Sequence, residues 1–190
     1  MLKSNYARIA AIIPTYTTAG DATTIIDITG GKETNQTRIQ TIINRLARSL
    51  AIDLIALKRN AASVTEHSIL QPLSLAPGCT LFPTKVRNPI VPGDPCMGYI
   101  NFHAVTSVTA NPDKPYQSTI TLLGDTQLHV LWTPATVKKY IQHAKLVISQ
   151  NPPGLAMRPE LAIIAQKQME VFYEFLVFQA LLHKNFPDHS

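Results

Sequence analysis

Proline placement constrains this chain more than any other feature. From His67 to His103 it reads H-S-I-L-Q-P-L-S-L-A-P-G-C-T-L-F-P-T, then a proline-rich insert, then C-M-G-Y-I-N-F-H. Two short apolar runs, Leu70 to Leu75 and Cys79 to Phe82, are punctuated by Pro72, Pro77 and Gly78 and closed by Pro83. Proline lacks the N–H that a ladder needs and glycine makes the tight turn, so these runs predict strands with hard ends. A loop from Lys85 to Pro95 follows, carrying Arg87, Pro89, Pro92 and Gly93. It is long for a connection inside a domain, and loops of that kind are often functional. A further strand is expected over Gly98 to Val105.

The flanks extend the same reading. Tyr6 to Ile13 and Thr23 to Ile28 are β-rich runs parted by Pro14, Gly20 and Asp21 and ending at Gly30-Gly31. From Thr34 the period changes. Ile39, Ile42, Ile43, Leu46, Ala47 and Leu50 recur at helical spacing, with Thr34 or Asn35 as the expected cap. On that helix Arg38, Arg45 and Arg48 fall within an arc of roughly 80°, away from the apolar stripe. Ile52 to Leu57 is expected to be a strand that delivers Lys58 and Arg59 at its end. Gly124-Asp125 between two apolar runs predicts a hairpin, and Thr133-Pro134 the cap and first residue of a helix whose buried face carries Val137, Tyr140, Ile141, Ala144 and Ile148.

Three prolines and a glycine in the stretch 151–159 separate a last helical segment. From Val171 to Leu182 it is apolar nearly all round. Such a helix needs cover on every side, and Phe172, Phe175, Leu176, Phe178 and Leu182 are the residues expected to supply self-association. The expected fold is therefore α+β: a mostly antiparallel sheet, a basic amphipathic helix and two C-terminal helices. Residues 1–150 form the domain and 151–190 the appended helical segment.

The order Leu81, Phe82, Pro83 and Thr84, then a proline-containing loop, Cys96, and the pair Tyr99-Ile100 resembles the ComK family of competence transcription factors. The likeness covers roughly Ser49 to Val147 by pattern. Downstream, S-T-I-T-L-L-G-D-T-Q-L-H-V-L-W-T and the helix after it are similar to the family's next segment. The chain departs from the family at Tyr99, where tryptophan is usual, by one extra residue between Cys96 and Tyr99, and at Lys139, where glutamine is common. The resemblance implies a transcriptional activator of competence genes, without enzymatic activity or cofactor. It would bind double-stranded A·T-rich DNA through the minor groove as a homo-oligomer, bend the promoter and stabilise RNA polymerase there.

Charge agrees with that implication. The chain holds 17 Lys and Arg against 12 Asp and Glu, a net charge of +5. Between Lys32 and Arg87 stand eight basic and three acidic residues, so the whole excess lies in that window. Concentrated charge attracts a polyanion better than dispersed charge. Arg38, Arg45, Arg48, Lys58, Arg59, Lys85 and Arg87 are the candidate DNA contacts. A solvated helix face is the plainer fate of such arginines, and the rival reading is a cytoplasmic protein-interaction domain of the same fold that has lost DNA binding.

Other chemistries find less support. Cys79 and Cys96 are a thin disulfide framework for a chain of 190 residues and read as reduced. Cys96, His103 and Asp94 name a conceivable thiol and base, but a buried thiol and a strand histidine are the favoured account. Cys79, Cys96, His67 and His103 match no zinc spacing, so no metal is expected. The apolar run after Arg8 is too short for a secretion signal, and no stretch reaches the length of a membrane span. A cytoplasmic location is the expectation.

Overall fold

The computed structural model describes residues 6–150. The chain divides into two units between Pro153 and Gly154; the expected joint at 151–159 and the final helix with Phe172, Phe175, Leu176, Phe178 and Leu182 lie outside the described residues. The first unit is α+β, built on antiparallel sheets as the sequence predicts. Its strands are β1 (Ile9–Thr17), β2 (Gly20–Asp27), β3 (Lys32–Asn35), β4 (Leu73–Ala76), β5 (Cys79–Lys85), β6 (Met97–Asn101), β7 (Val105–Ala110), β8 (Ser118–Leu122) and β9 (Gln127–Val130). Helices α1 (Ile39–Ser49) and α2 (Leu54–Thr65) join β3 to β4, and α3 (Pro134–Gln150) follows β9. Six strands form one sheet in the order β3-β2-β1-β6-β5-β4, and β7-β8-β9 form a second.

Two cores lie on the two faces of the large sheet. On one, Ile39, Ile42, Ile43, Leu46 and Ala47 of α1 pack on Ile9, Ile12 and Ile25 and on Leu73, Leu75 and Leu81. On the other, Ile26, Phe82 and Ile100 meet Ile120, Leu122, Leu128 and Val130 of the small sheet and Val137 and Ala144 of α3. Strand periodicity alone would put Ala10 and Ala11 on opposite faces. Both point to the second core because the β1–β2 register slips between Ile9 and Ala11, a bulge that inserts Ala10.

Four expectations give way to the structure, each for a local reason. Ile52 to Leu57 is not a strand: α2 begins at Leu54, because the Asp53 side chain accepts hydrogen bonds from Ile55 N at 2.8 Å and Ala56 N at 3.2 Å. Leu54, Leu57, Ala61 and Thr65 then recur at helical spacing and are the residues α2 turns inward. Thr34 and Asn35 do not cap α1 but belong to β3, and Arg38, in an extended conformation, stands at the cap with no side-chain bond. The expected strand from Gly98 to Val105 is broken after Asn101. That buried side chain donates to Ile9 O and Gly78 O, both at 2.8 Å, and accepts from Thr80 N and His103 N. It thereby starts the short 3-10 turn Phe102–Ala104 that carries the chain into the second sheet.

The fourth correction concerns the prolines themselves. Pro14 and Pro83 lie inside β1 and β5, pairing with Thr23 and Tyr99. Each sits where one neighbour has already ended: β6 pairs β1 only at Ala11 and Ile12, and β4 pairs β5 only as far as Leu81. A proline with one open side costs no ladder bond there.

Candidate nucleic-acid interface

The helical layer carries the first group of candidate residues. The inward faces of α1 and α2 are apolar, and Arg45, Arg48 and Arg59 are exposed while Lys58 is half-buried. Arg45 and Arg48 are three apart, hence neighbours on one helix face. Neither helix contains an acidic residue. Asp53, the one carboxylate between them, is engaged by the first turn of α2. Among the described residues the ion pairs are Arg8 with Asp27 and Arg38 and Arg87 with Asp21, so none involves Arg45, Arg48, Lys58 or Arg59. Arg48 also lies in the last turn of α1, where a cation favours the helix dipole.

A second group gathers where β1, β2, β5 and β6 end together. The Arg87 side chain, 12% exposed, pairs through Nη2 with Oδ1 of Asp21, itself 9% exposed. Its Nε donates to Pro95 O at 2.9 Å, and the guanidinium lies 3.8 Å over the Tyr16 ring. Nη1 is buried without a hydrogen-bond partner among the described residues. Arg87 is therefore mostly enclosed and ion-paired within the fold, where it ties the loop to the β1–β2 turn. Arg38 is different again. Lying before α1 rather than on it, it leaves the arc expected with Arg45 and Arg48; its Nε is 3.9 Å from Asp21 Oδ2, and its side chain is 67% exposed.

Around this ion pair the long loop is tied down. Tyr16 Oη donates to Asp94 Oδ2 at 2.7 Å and accepts from Ile90 N at 2.8 Å. The Tyr16 bond holds the Asp94 carboxyl below its ordinary range, against the opposing effect of burial; Val91 N, Arg87 and Arg38 act in the same direction as Tyr16. Burial is the first cause that raises the Tyr16 phenol, and Asp94 adds to it. Lys85, half-buried at the end of β5, lies by strand alternation on the same side as Leu81, the side of the helical layer. Its carbonyl accepts from Leu131 N at 2.8 Å, which joins the two sheets at this point.

Among the described residues the thiols and histidines form no cluster of three or more. Burial pushes the Cys79 thiol up to about 12, which keeps it protonated and unreactive. Asp94 is committed to Tyr16, and His103 stacks edge-on against Phe102. His67 and His143 face each other across the seam of α2 and α3 with ring centroids 4.9 Å apart. Among the described residues no group of three or more His, Cys, Asp or Glu side chains could hold a metal ion. None of the described helices is long and apolar enough to cross a membrane.

Sequence reasoning brought Arg45, Arg48, Lys58 and Arg59 to one layer by a partly mistaken route, since it placed the lysine and Arg59 at a strand end. It missed Asp21 and Tyr16 as partners of Arg87. Both stand at the β1–β2 turn, more than sixty residues from Arg87, and no local pattern joins them. Compared with known proteins, the chain matches no family model, no curated protein and no solved structure.

Proposed function

We propose that this protein is a DNA-binding transcriptional activator of the kind the ComK resemblance implies, acting in the cytoplasm on double-stranded A·T-rich DNA as a homo-oligomer, with RNA polymerase as a further partner. The observation that carries the reading is the charge of the helical layer: Arg45, Arg48, Lys58 and Arg59 on two helices that contain no acidic residue. Side chains that make no ion pair among the described residues give up no such contact there when a phosphate engages them. Arginine forks suit phosphate oxygens, and arginine also favours the strong negative potential of a narrow A-tract minor groove. Attachment is then electrostatic, and preference for sequence comes from groove shape.

The test is a titration of full-length protein against A·T-rich and G·C-rich duplexes across a salt series. Binding is expected to weaken linearly in log-log form, with a slope of about 0.9 per neutralised phosphate, and to favour the A·T-rich duplex at every salt. Absence of binding at low salt would remove the function. Binding with no preference between the two duplexes would leave an electrostatic DNA binder but remove the reading of sequence.

A further inference from the structure

The loop between β5 and β6 combines a rigid base with an apolar tip. At the tip, Ile90 is 74% exposed and Val91 57% exposed, between Pro89 and Pro92. Exposed aliphatic residues on a mobile loop would need no explanation. These are on a loop fixed from several directions. Arg87 anchors one limb through Asp21, Pro95 O and the Tyr16 ring, and Tyr16 Oη receives the N–H of Ile90 itself. Asp94 N donates to Val91 O at 3.1 Å across Pro92-Gly93, and Gly93 has φ +90°. Proline followed by a glycine at positive φ is the type II turn, and the Asp94 side chain closes it by accepting from Val91 N at 3.3 Å. The backbone that presents Ile90 and Val91 is ordered before any partner arrives.

Charge says what kind of partner. Arg38 contacts the same Asp21 that holds Arg87, and its guanidinium remains mostly exposed beside the loop's base. Lys85 stands two residues before Arg87 at the end of β5, so Arg38, Lys85 and Arg87 face two carboxylates: Asp21, paired with Arg87, and Asp94, which is bonded to the neutral Tyr16 hydroxyl and Val91 N and keeps its charge. An aliphatic tip of two side chains, stiffened by prolines above a base where cations outnumber carboxylates, fits a wedge that enters a groove and parts one base step. Two such side chains are a small area for attachment to a lipid surface.

We propose that Ile90 and Val91 form a wedge that inserts between base pairs of bound duplex DNA and kinks it, with Arg38 holding the adjacent phosphate. This rests on the DNA-binding reading above, whose family resemblance already implies promoter bending, and adds to it the residues that would force the bend, apart from the arginines of α1. A base step that unstacks easily, such as TA, would be preferred at that point although no side chain reads it through hydrogen bonds.

The experiment uses full-length protein and a roughly 30-base-pair A·T-rich duplex with one central TA step, end-labelled for energy transfer and carrying 2-aminopurine at the step. Wild-type protein is expected to bend the duplex by about 20–90° and to raise 2-aminopurine fluorescence. Ile90→Ser with Val91→Ser should abolish both signals and lower affinity on the order of tenfold. Arg45→Ala with Arg48→Ala should weaken binding while each bound duplex remains bent. If wild-type protein binds but does not bend the duplex, or if the serine variant bends it as wild type does, the wedge is excluded and the DNA-binding reading stands. If no duplex binds, both fall. If the serine substitutions instead abolish sedimentation with phosphatidylserine vesicles and leave bending unchanged, the tip serves a membrane surface and the wedge is equally excluded.

Discussion

Arg87 and the pair Arg45 and Arg48 are the same residue type within one basic stretch of sequence, and the fold treats them oppositely. Arg87 is enclosed by Asp21, Pro95 and Tyr16, and holds a loop to a hairpin. Arg45 and Arg48 extend from a helix whose other side supplies the core, and they touch no carboxylate among the described residues. The difference lies in what the topology brings near. The β1–β2 turn delivers Asp21 and Tyr16 to the end of β5, whereas no acidic side chain among the described residues folds over α1. A basic cluster read from sequence is therefore two populations, and only acidic partners distant in the chain tell them apart.

The comparison predicts a hierarchy in folding free energy. Removing Asp21 leaves the Arg87 charge enclosed without its carboxylate, the costly way to break a buried pair, so Asp21→Ala should lower stability by about 3 kcal/mol. Adding Arg87→Met, which removes the orphaned charge and keeps much of the apolar stem, should recover part of that loss. Chemical denaturation of the single and double variants measures both. A single variant within about 0.5 kcal/mol of wild type would put Arg87 with the solvated arginines and dissolve the contrast.

A smaller effect is expected at Asp53, the carboxylate between the two basic helices. Because it accepts from Ile55 N and Ala56 N, Asp53→Ala should cost about 1 kcal/mol of stability. The same change removes a negative charge from the helical layer, so affinity for duplex DNA should hold or rise. A variant that is destabilised as expected but binds DNA more weakly would show that the position of α2, and not the charge of the layer, governs binding.

Much of the architecture was legible because it is local. The i, i+3, i+4 spacing of isoleucine and leucine yielded α1, Gly124-Asp125 marked the β8–β9 hairpin, and Thr133 caps α3 as expected, accepting from Thr136 N at 3.2 Å. Gly124 has φ +73°, and a Cβ there would meet Ile28 O at 2.9 Å, so the turn signal and close packing coincide. What stayed hidden depends on partners far apart in sequence. Asn101 ends β6 because Ile9 and Gly78 offer carbonyls to it, and Pro83 stays within β5 because β4 has already stopped. The residues behind the family resemblance were also legible, but as core. Phe82 pairs with Ile100 and Pro83 with Tyr99, with Phe82 and Ile100 fully buried. They bear on how the sheet is assembled, while the surface proposed for DNA lies on helices of much plainer sequence.

The least effect on the fold should come from Arg45 and Arg48, and there the contrast with Arg87 is sharpest. Both side chains are exposed and neither has a carboxylate partner among the described residues. Substituting both by alanine removes little but solvated charge and a modest dipole contribution from Arg48, so stability should stay within about 0.5 kcal/mol of wild type. Binding should respond far more. Every phosphate left without its cation flattens the log-log salt dependence by about 0.9, so the double substitution should change the slope by about 1.8 on A·T-rich and G·C-rich duplexes alike. Replacing the same two arginines by lysine should keep most of the slope, because lysine preserves the charge, while weakening any preference that depends on arginine in a narrow groove. An alanine variant that folds normally and retains the full slope would take these arginines out of the interface. Of the candidate contacts with no carboxylate partner among the described residues, Lys58, Arg59 and Lys85 would then remain, and the contact surface would move from α1 toward α2 and the end of the large sheet.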